Sequence, residues 1–314
     1  MQTRIEQLVA EYETARLTRR ELLSALALAG TSAALTGRSM SAQTRPQVLR
    51  ARSIKNVSIG VSDVQRSAAF YQQLFDLPAL RTLLWSGNEA YGLDFNGRFI
   101  SLNPQSDAGL ITHFSIGVDN FRPGRDGEAL RAAGIEVITS SDEYVFVRDP
   151  DGVSVQITDT NYTAACASCT PPPARATGTT PIFRARTLNH VSMGVSDLPR
   201  SIAFYQNLFG LSSLRPLLPP GSGIFGLDIN ESYLSLSPSR ARAGTITHFC
   251  IGVDDFQLER DIEKIRAIGL EVRELTPGQN NQTLYVNDPD GLSVQISGST
   301  WKSLCPTCDP EPAE

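Results

Sequence analysis

Only three histidines occur in this 314-residue chain, His113, His190 and His248, and each opens a short run of alternating apolar and small residues. Such runs read as strands, whose successive side chains point to opposite faces. Along 190–195, His190, Ser192 and Gly194 oppose Val191, Met193 and Val195. Along 248–253, His248, Cys250 and Gly252 oppose Phe249, Ile251 and Val253, and along 293–297, Ser293, Gln295 and Ser297 oppose Val294 and Ile296. Earlier in the chain, Asn56, Ser58, His113, Ser115, Ser154 and Gln156 fall on the polar side in the same way. Unsatisfied buried polar groups cost about 1–3 kcal/mol each, so such a face must meet water or a ligand. A strongly curved sheet with a polar concave face is the economical expectation. A solvent-exposed sheet face without a site is the alternative.

Four of the five cysteines form a second chemical cluster, Cys166-x-x-Cys169 and Cys305-x-x-Cys308, and each pair starts ten residues after Gln156 or Gln295. Two such pairs can build a tetrahedral zinc knot where the segments meet. In an oxidising compartment disulfides are the expected outcome. No histidine follows either pair, which excludes c-type haem attachment by motif. Cys250 stands apart, two residues from His248, and reads as a small buried thiol.

What positions these residues is an internal duplication. Residues 57–75, VSIGVSDVQRSAAFYQQLF, return as VSMGVSDLPRSIAFYQNLF at 191–209. THFSIGVD at 112–119 returns as THFCIGVD at 247–254, and DPDGVSVQI at 149–157 returns as DPDGLSVQI at 288–296. The offset grows only from 134 to 135 to 139 residues, so the spacing of the blocks changes only through loop lengths. Each copy reads as a strand (57–61; 191–195), a Ser-Asp helix cap, and an amphipathic helix carrying Phe70, Leu74 and Phe75, or Phe204, Leu208 and Phe209. Two further strands follow (91–95 and 99–102; 224–229 and 233–236). The THF strand then opens a second unit, with a helix near 127–133 or 262–268 and a hairpin at Asp-Pro-Asp-Gly. The fold class is therefore α+β, tandem βαβββ modules forming curved mixed sheets. The expected domains are 54–159 and 187–299, joined by a Pro/Gly-containing linker at 160–186 and followed by a polar tail at 300–314.

Tandem modules with a polar first-strand position, a His-containing middle strand and a DPDG hairpin resemble the vicinal oxygen chelate superfamily, which includes glyoxalase I, extradiol dioxygenases and bleomycin-binding proteins. The resemblance covers 54–159 and 187–299. It implies a divalent metal inside the cup, with ligands His190, His248 and Gln295 in the second copy. It implies a weaker second set, Asn56, His113 and Gln156, in the first. Dioxygenases of this group use two His and a Glu, a facial set suited to Fe(II). The Gln here leaves Fe, Mn, Ni and Zn all open. The resemblance also places Tyr285, ten residues before Gln295, where those dioxygenases carry an active-site tyrosine. It implies a metal-dependent lyase, isomerase or dioxygenase that chelates two adjacent oxygens of a small-molecule substrate. The alternative it leaves is a metal-free protein that sequesters a small molecule.

The formal charge of −5 is mild and no Lys/Arg run stands out, which argues against nucleic acid. An apolar content of 41% and a charged content of 19% are ordinary for a soluble domain. Thr18-Arg19-Arg20-Glu21-Leu22-Leu23 precedes a short apolar stretch ending in small residues. This pattern resembles a twin-arginine export signal over 1–42 and predicts a periplasmic or extracellular protein with no membrane span once the signal is removed. A homo-oligomer is compatible with all of this.

Overall fold

The structure, a computed structural model, describes residues 49–85, 88–105, 108–163, 180–214, 223–274 and 282–301. The export-signal segment, both Cys-x-x-Cys pairs and most of the linker and tail lie outside the described residues.

The first copy runs β1 (Ala51–Val61), α1 (Val64–Leu74), β2 (Ala79–Trp85), β3 (Asn88–Phe95), β4 (Arg98–Pro104), β5 (Leu110–Val118), α2 (Pro123–Ala132), β6 (Val137–Ser140), β7 (Tyr144–Arg148) and β8 (Ser154–Asp159). The second repeats it as β9 (Ala185–Val195), α3 (Leu198–Phe209), β10 (Ser212–Leu214), β11 (Phe225–Ile229), β12 (Ser232–Pro238), β13 (Thr245–Val253), α4 (Leu258–Ala267), β14 (Arg273–Glu274), β15 (Thr283–Asn287) and β16 (Ser293–Gly298). Each copy thus holds the βαβββ unit twice. Its two first strands lie side by side and antiparallel, β1 against β5 and β9 against β13. Each first strand also pairs in parallel with the last strand of its own unit: β1 with β4, β5 with β8, β9 with β12, β13 with β16. The copies join edge to edge through β5 and β13, where Ile111 faces Ile246.

The apolar sides of the first strands form the core: Val57, Ile59, Val61, Val191, Met193 and Val195 are fully buried. Helices α1 and α3 cover them from outside, starting where expected. Asp63 and Asp197 accept the backbone N–H of Arg66 and Arg200, each at 3.0 Å. Helices α2 and α4 start about one turn earlier than the apolar spacing suggests, because their first turns are fixed by polar contacts. Asp126 reaches back to the Arg122 N–H and Asp261 to the Gln257 N–H, each at 2.7 Å, and Pro123 stands at the start of α2, where its missing N–H costs nothing. Among the described residues no helix is long and apolar enough to cross a membrane.

The DPDG hairpins are more than turns. Asp149 accepts the N–H groups of Asp151 and Val153 within its own hairpin, and the Tyr205 hydroxyl of the other copy at 3.0 Å. Asp288 does the same with Asp290, Leu292 and Tyr71. The next acid of each hairpin grips the start of the opposite copy's helix: Asp290 with Ser62 and Arg66, Asp151 with Ser196 and Arg200. Gly109 and Gly244 make room for this clasp. Both have positive φ, and a Cβ there would come within 2.5 and 2.4 Å of the Asp290 and Asp151 carbonyl oxygens.

Candidate metal centre

In the second copy, β12, β9, β13, β16 and β15 lie side by side, and their register gathers the polar residues into one cup of about 460 Å³. Tyr233 faces His190 across β12–β9, and Tyr285 faces Gln295 across β15–β16. Cys250 of β13 faces both His190 and Gln295. The β9–β13 register slips at three places, and one of them brings an extra residue of β13 to the cup. A bulge between Ile246 and His248 lets both Thr247 and His248 line the cup, and it turns His248 towards His190.

The two imidazoles meet at Nε2, 3.3 Å apart, with their rings at 83°. Their other nitrogens are occupied. Asn189 donates from Nδ2 to the Trp301 carbonyl at 2.6 Å, which turns its Oδ1 to His190 Nδ1 at 3.0 Å. Thr247 donates its hydroxyl proton to the Ser192 carbonyl at 3.2 Å, so its Oγ1 accepts from His248 Nδ1 at 3.3 Å. These partners assign both protons to Nδ1. Both Nε2 lone pairs therefore face into the cup. Gln295 is buried, and its Oε1 has no hydrogen-bond partner.

Burial holds His190 well below the usual histidine range, helped by its neighbour His248. Burial likewise pushes His248 down to about 4. The Gln295 carboxamide opposes both shifts, although its Oε1 makes no hydrogen bond of good geometry. Burial raises the Tyr285 phenol above its ordinary value and takes the Cys250 thiol up to about 12. At neutral pH the cup thus offers two neutral nitrogen donors, an amide oxygen and a protonated phenol. Two facing lone pairs repel unless a cation sits between them, and a buried acceptor without a donor is costly. The set fits a divalent ion of borderline softness. Among the described residues no three His, Cys, Asp or Glu side chains cluster, as the third donor here is an amide.

Other members of the cup position these donors. Tyr233 stacks on His190 at 4.5 Å, and the His248 and Tyr285 rings meet edge-on at 5.4 Å. Cys250 does not line the cup; its thiol pairs with Ser297 Oγ at 3.3 Å. Sequence reasoning missed Asn189, Arg242, Arg273 and Trp301. Trp301 had read as tail, yet it lines the cup. The equal presence of an aromatic at Tyr162 and Trp301, each six residues past its copy's Gln, was the available signal.

The first copy brings Asn56, His113 and Gln156 to the same strand positions, with Ser115 of β5 opposite both Asn56 and Gln156. Asn56 Oδ1 is buried without a partner, and His113, pushed down to about 4 by burial, has Nδ1 3.2 Å from Thr112 Oγ1. Three differences set it apart. It has one imidazole, Phe146 stands where the other copy has Tyr285, and Asn103 bonds Ser58 across the polar face at 2.7 Å where the other copy has the smaller Ser237.

Residues 187–296 match the profile of the Glyoxalase/Bleomycin resistance protein/Dioxygenase superfamily. The metallothiol transferase FosB of Lysinibacillus sphaericus is 32% identical over 123 residues, which span 37% of this chain and 84% of that protein. Among solved structures, the Mn(II)-bound glyoxalase from Novosphingobium aromaticivorans superposes with a TM-score of 0.60 at 16% identity, covering 81% of this chain and 84% of that one. The 2,3-dioxygenase LapB from Pseudomonas sp. KL28 does so with a TM-score of 0.60 at 16% identity, covering 85% and 97%. With a cup of this architecture and a relative of this identity, the chain belongs to the glyoxalase/bleomycin resistance protein/dioxygenase superfamily.

Proposed function

We propose that the chain is an exported, metal-dependent small-molecule enzyme of glyoxalase or dioxygenase type, with His190, His248 and Gln295 as ligands of one divalent ion. The observation that carries this reading is the pair of Nε2 atoms facing each other at 3.3 Å beside the unpartnered Gln295 Oε1. The metal in the names of a metallothiol transferase and a Mn(II)-bound glyoxalase supports it. The bound ion, Fe, Mn, Ni or Zn, supplies Lewis acidity to a substrate presenting two adjacent oxygens.

The chain's own groups do the rest. Asn189 and Thr247 keep the Nδ1 protons in place and so fix the tautomers that turn Nε2 to the cup. Tyr233 holds the His190 ring by stacking. Tyr285, kept protonated by burial, donates a hydrogen bond or a proton to a substrate oxygen. The first cup, with Asn56, His113 and Gln156 and with Asn103 across its polar face, is degenerate or substrate-shaping and is not the main metal centre. The paired Arg19-Arg20 ahead of an apolar run supports export.

Metal analysis of protein purified without added metal tests this reading. We expect one Fe, Mn, Ni or Zn per chain, lost in His190→Ala and in His248→Ala. A Cys305→Ser variant is expected to keep that metal, which separates the cup from any zinc on the cysteines. A folded chain without metal would sink the enzyme reading in favour of a metal-free binding protein.

A further inference from the structure

Arginines near the clasp and on the helices stand beside carboxylates: Arg66 with Asp290, Arg200 with Asp151, Arg260 with Asp261. Arg242 and Arg273 do not. Both line the second cup, and neither has an ion-pair partner among the described residues. Arg273 lies over the Tyr285 ring at 4.4 Å and donates from Nη2 to Ser293 Oγ at 3.0 Å, so cup residues hold it rather than an acid. Among the described residues no carboxylate lines this cup, whose remaining polar wall is largely hydroxyl, from Ser192, Ser235, Ser237 and Ser239. In a chain of net charge −5, that is a local reversal of sign.

The duplication acts as an internal control. In the matching stretches Glu-Val-Ile-Thr and Glu-Val-Arg-Glu, Arg273 stands where the first copy has Ile138. Ahead of the shared Ala-Gly, Arg242 stands where the first copy has Asp107. The copy that has the second imidazole also has both cations. Neutral ligands leave the charge of a divalent ion uncompensated, so positive charge in the cup accumulates with nothing from the protein to balance it.

We infer that the second cup takes a small oxyanion, a molecule with a carboxylate or comparable anionic group next to a second oxygen, and that Arg242 and Arg273 are its charge partners. The position of the two oxygens rests on the metal reading above; the charge rests on the arginines. Two probes separate these: oxalate, with adjacent anionic oxygens, and catechol, whose adjacent hydroxyls are uncharged at neutral pH. Each is titrated calorimetrically into full chain with and without Mn(II), after Mn(II) uptake has been measured. In the double variant Arg242→Met/Arg273→Met, oxalate binding is expected to weaken by about tenfold or more, while catechol binding changes by less than about threefold. Arg273→Lys, which keeps the charge but not the planar fork, is expected to fall between. Oxalate binding that is equal in wild type and double variant, with folding verified by thermal melting, overturns the inference even when Mn(II) is bound. So does an equal loss for both probes. Failure to take up Mn(II) or any of Fe(II), Ni(II) and Zn(II) defeats the metal reading instead. In that case oxalate binding to the metal-free chain that is lost in the double variant upholds the anion reading, and its absence overturns it.

Discussion

Replacing Gln295 with glutamate is expected to strengthen divalent-metal binding in the second cup by at least about tenfold, since one unit of negative charge beside a dication outweighs 1.4 kcal/mol even when strongly screened. Gln295 is buried, and its Oε1 has no partner to lose, so the substitution changes charge with little change in shape. The cost falls on the metal-free state, where a buried carboxylate would sit between two imidazoles that burial now keeps neutral. Their proton affinity should rise, and the variant's metal binding should then weaken more steeply than wild type as the pH falls. Competition against a chelator at pH 7 and at lower pH measures both effects. An unchanged or weaker affinity in a folded Gln295→Glu chain would show that Gln295 is not a ligand.

The largest expected loss of stability lies away from the cup, at the clasp between the copies. Asp149→Ala removes a buried carboxylate that accepts two N–H groups of its own hairpin and the hydroxyl of fully buried Tyr205. The Val153 N–H and the Tyr205 hydroxyl left behind are buried, so the cost is expected to be on the order of 3 kcal/mol. Asp288→Ala should cost a similar amount, because Asp288 holds Asp290, Leu292 and Tyr71 in the same way. Tyr205→Phe deletes the hydroxyl instead of the carboxylate and should cost only about 1 kcal/mol. Denaturant unfolding of the three variants decides the matter. A loss below that of Tyr205→Phe for either aspartate would remove the clasp from the list of what holds the copies together.

The fold was readable because three blocks recur in order, and because alternation sorts His190, His248 and Gln295 from the apolar residues beside them. The caps at Asp63 and Asp197 were readable for a local reason: the bond they make spans three residues. What could not be read depends on distance or on irregularity. Tyr71 and Asp288 are 217 positions apart, so nothing in either neighbourhood marks them as partners. The bulge before His248 breaks the alternation, so Thr247 lines the cup beside it where the period gave no sign of this. Asn189 precedes His190 by one residue, and only the Trp301 carbonyl, far along the chain, turns its amide into a support for the imidazole. The arginines at the rim were visible only by comparing the copies position by position, where Ile138 gives way to Arg273.

A crystal of the chain soaked in Mn(II), with data collected for anomalous scattering, tests the metal centre most directly. The account predicts one strong peak in the second cup, within about 2.3 Å of His190 Nε2, His248 Nε2 and Gln295 Oε1, and no comparable peak between Asn56, His113 and Gln156. An ordered cup without a peak, or manganese bound with His190 and His248 both outside its coordination shell, would contradict it.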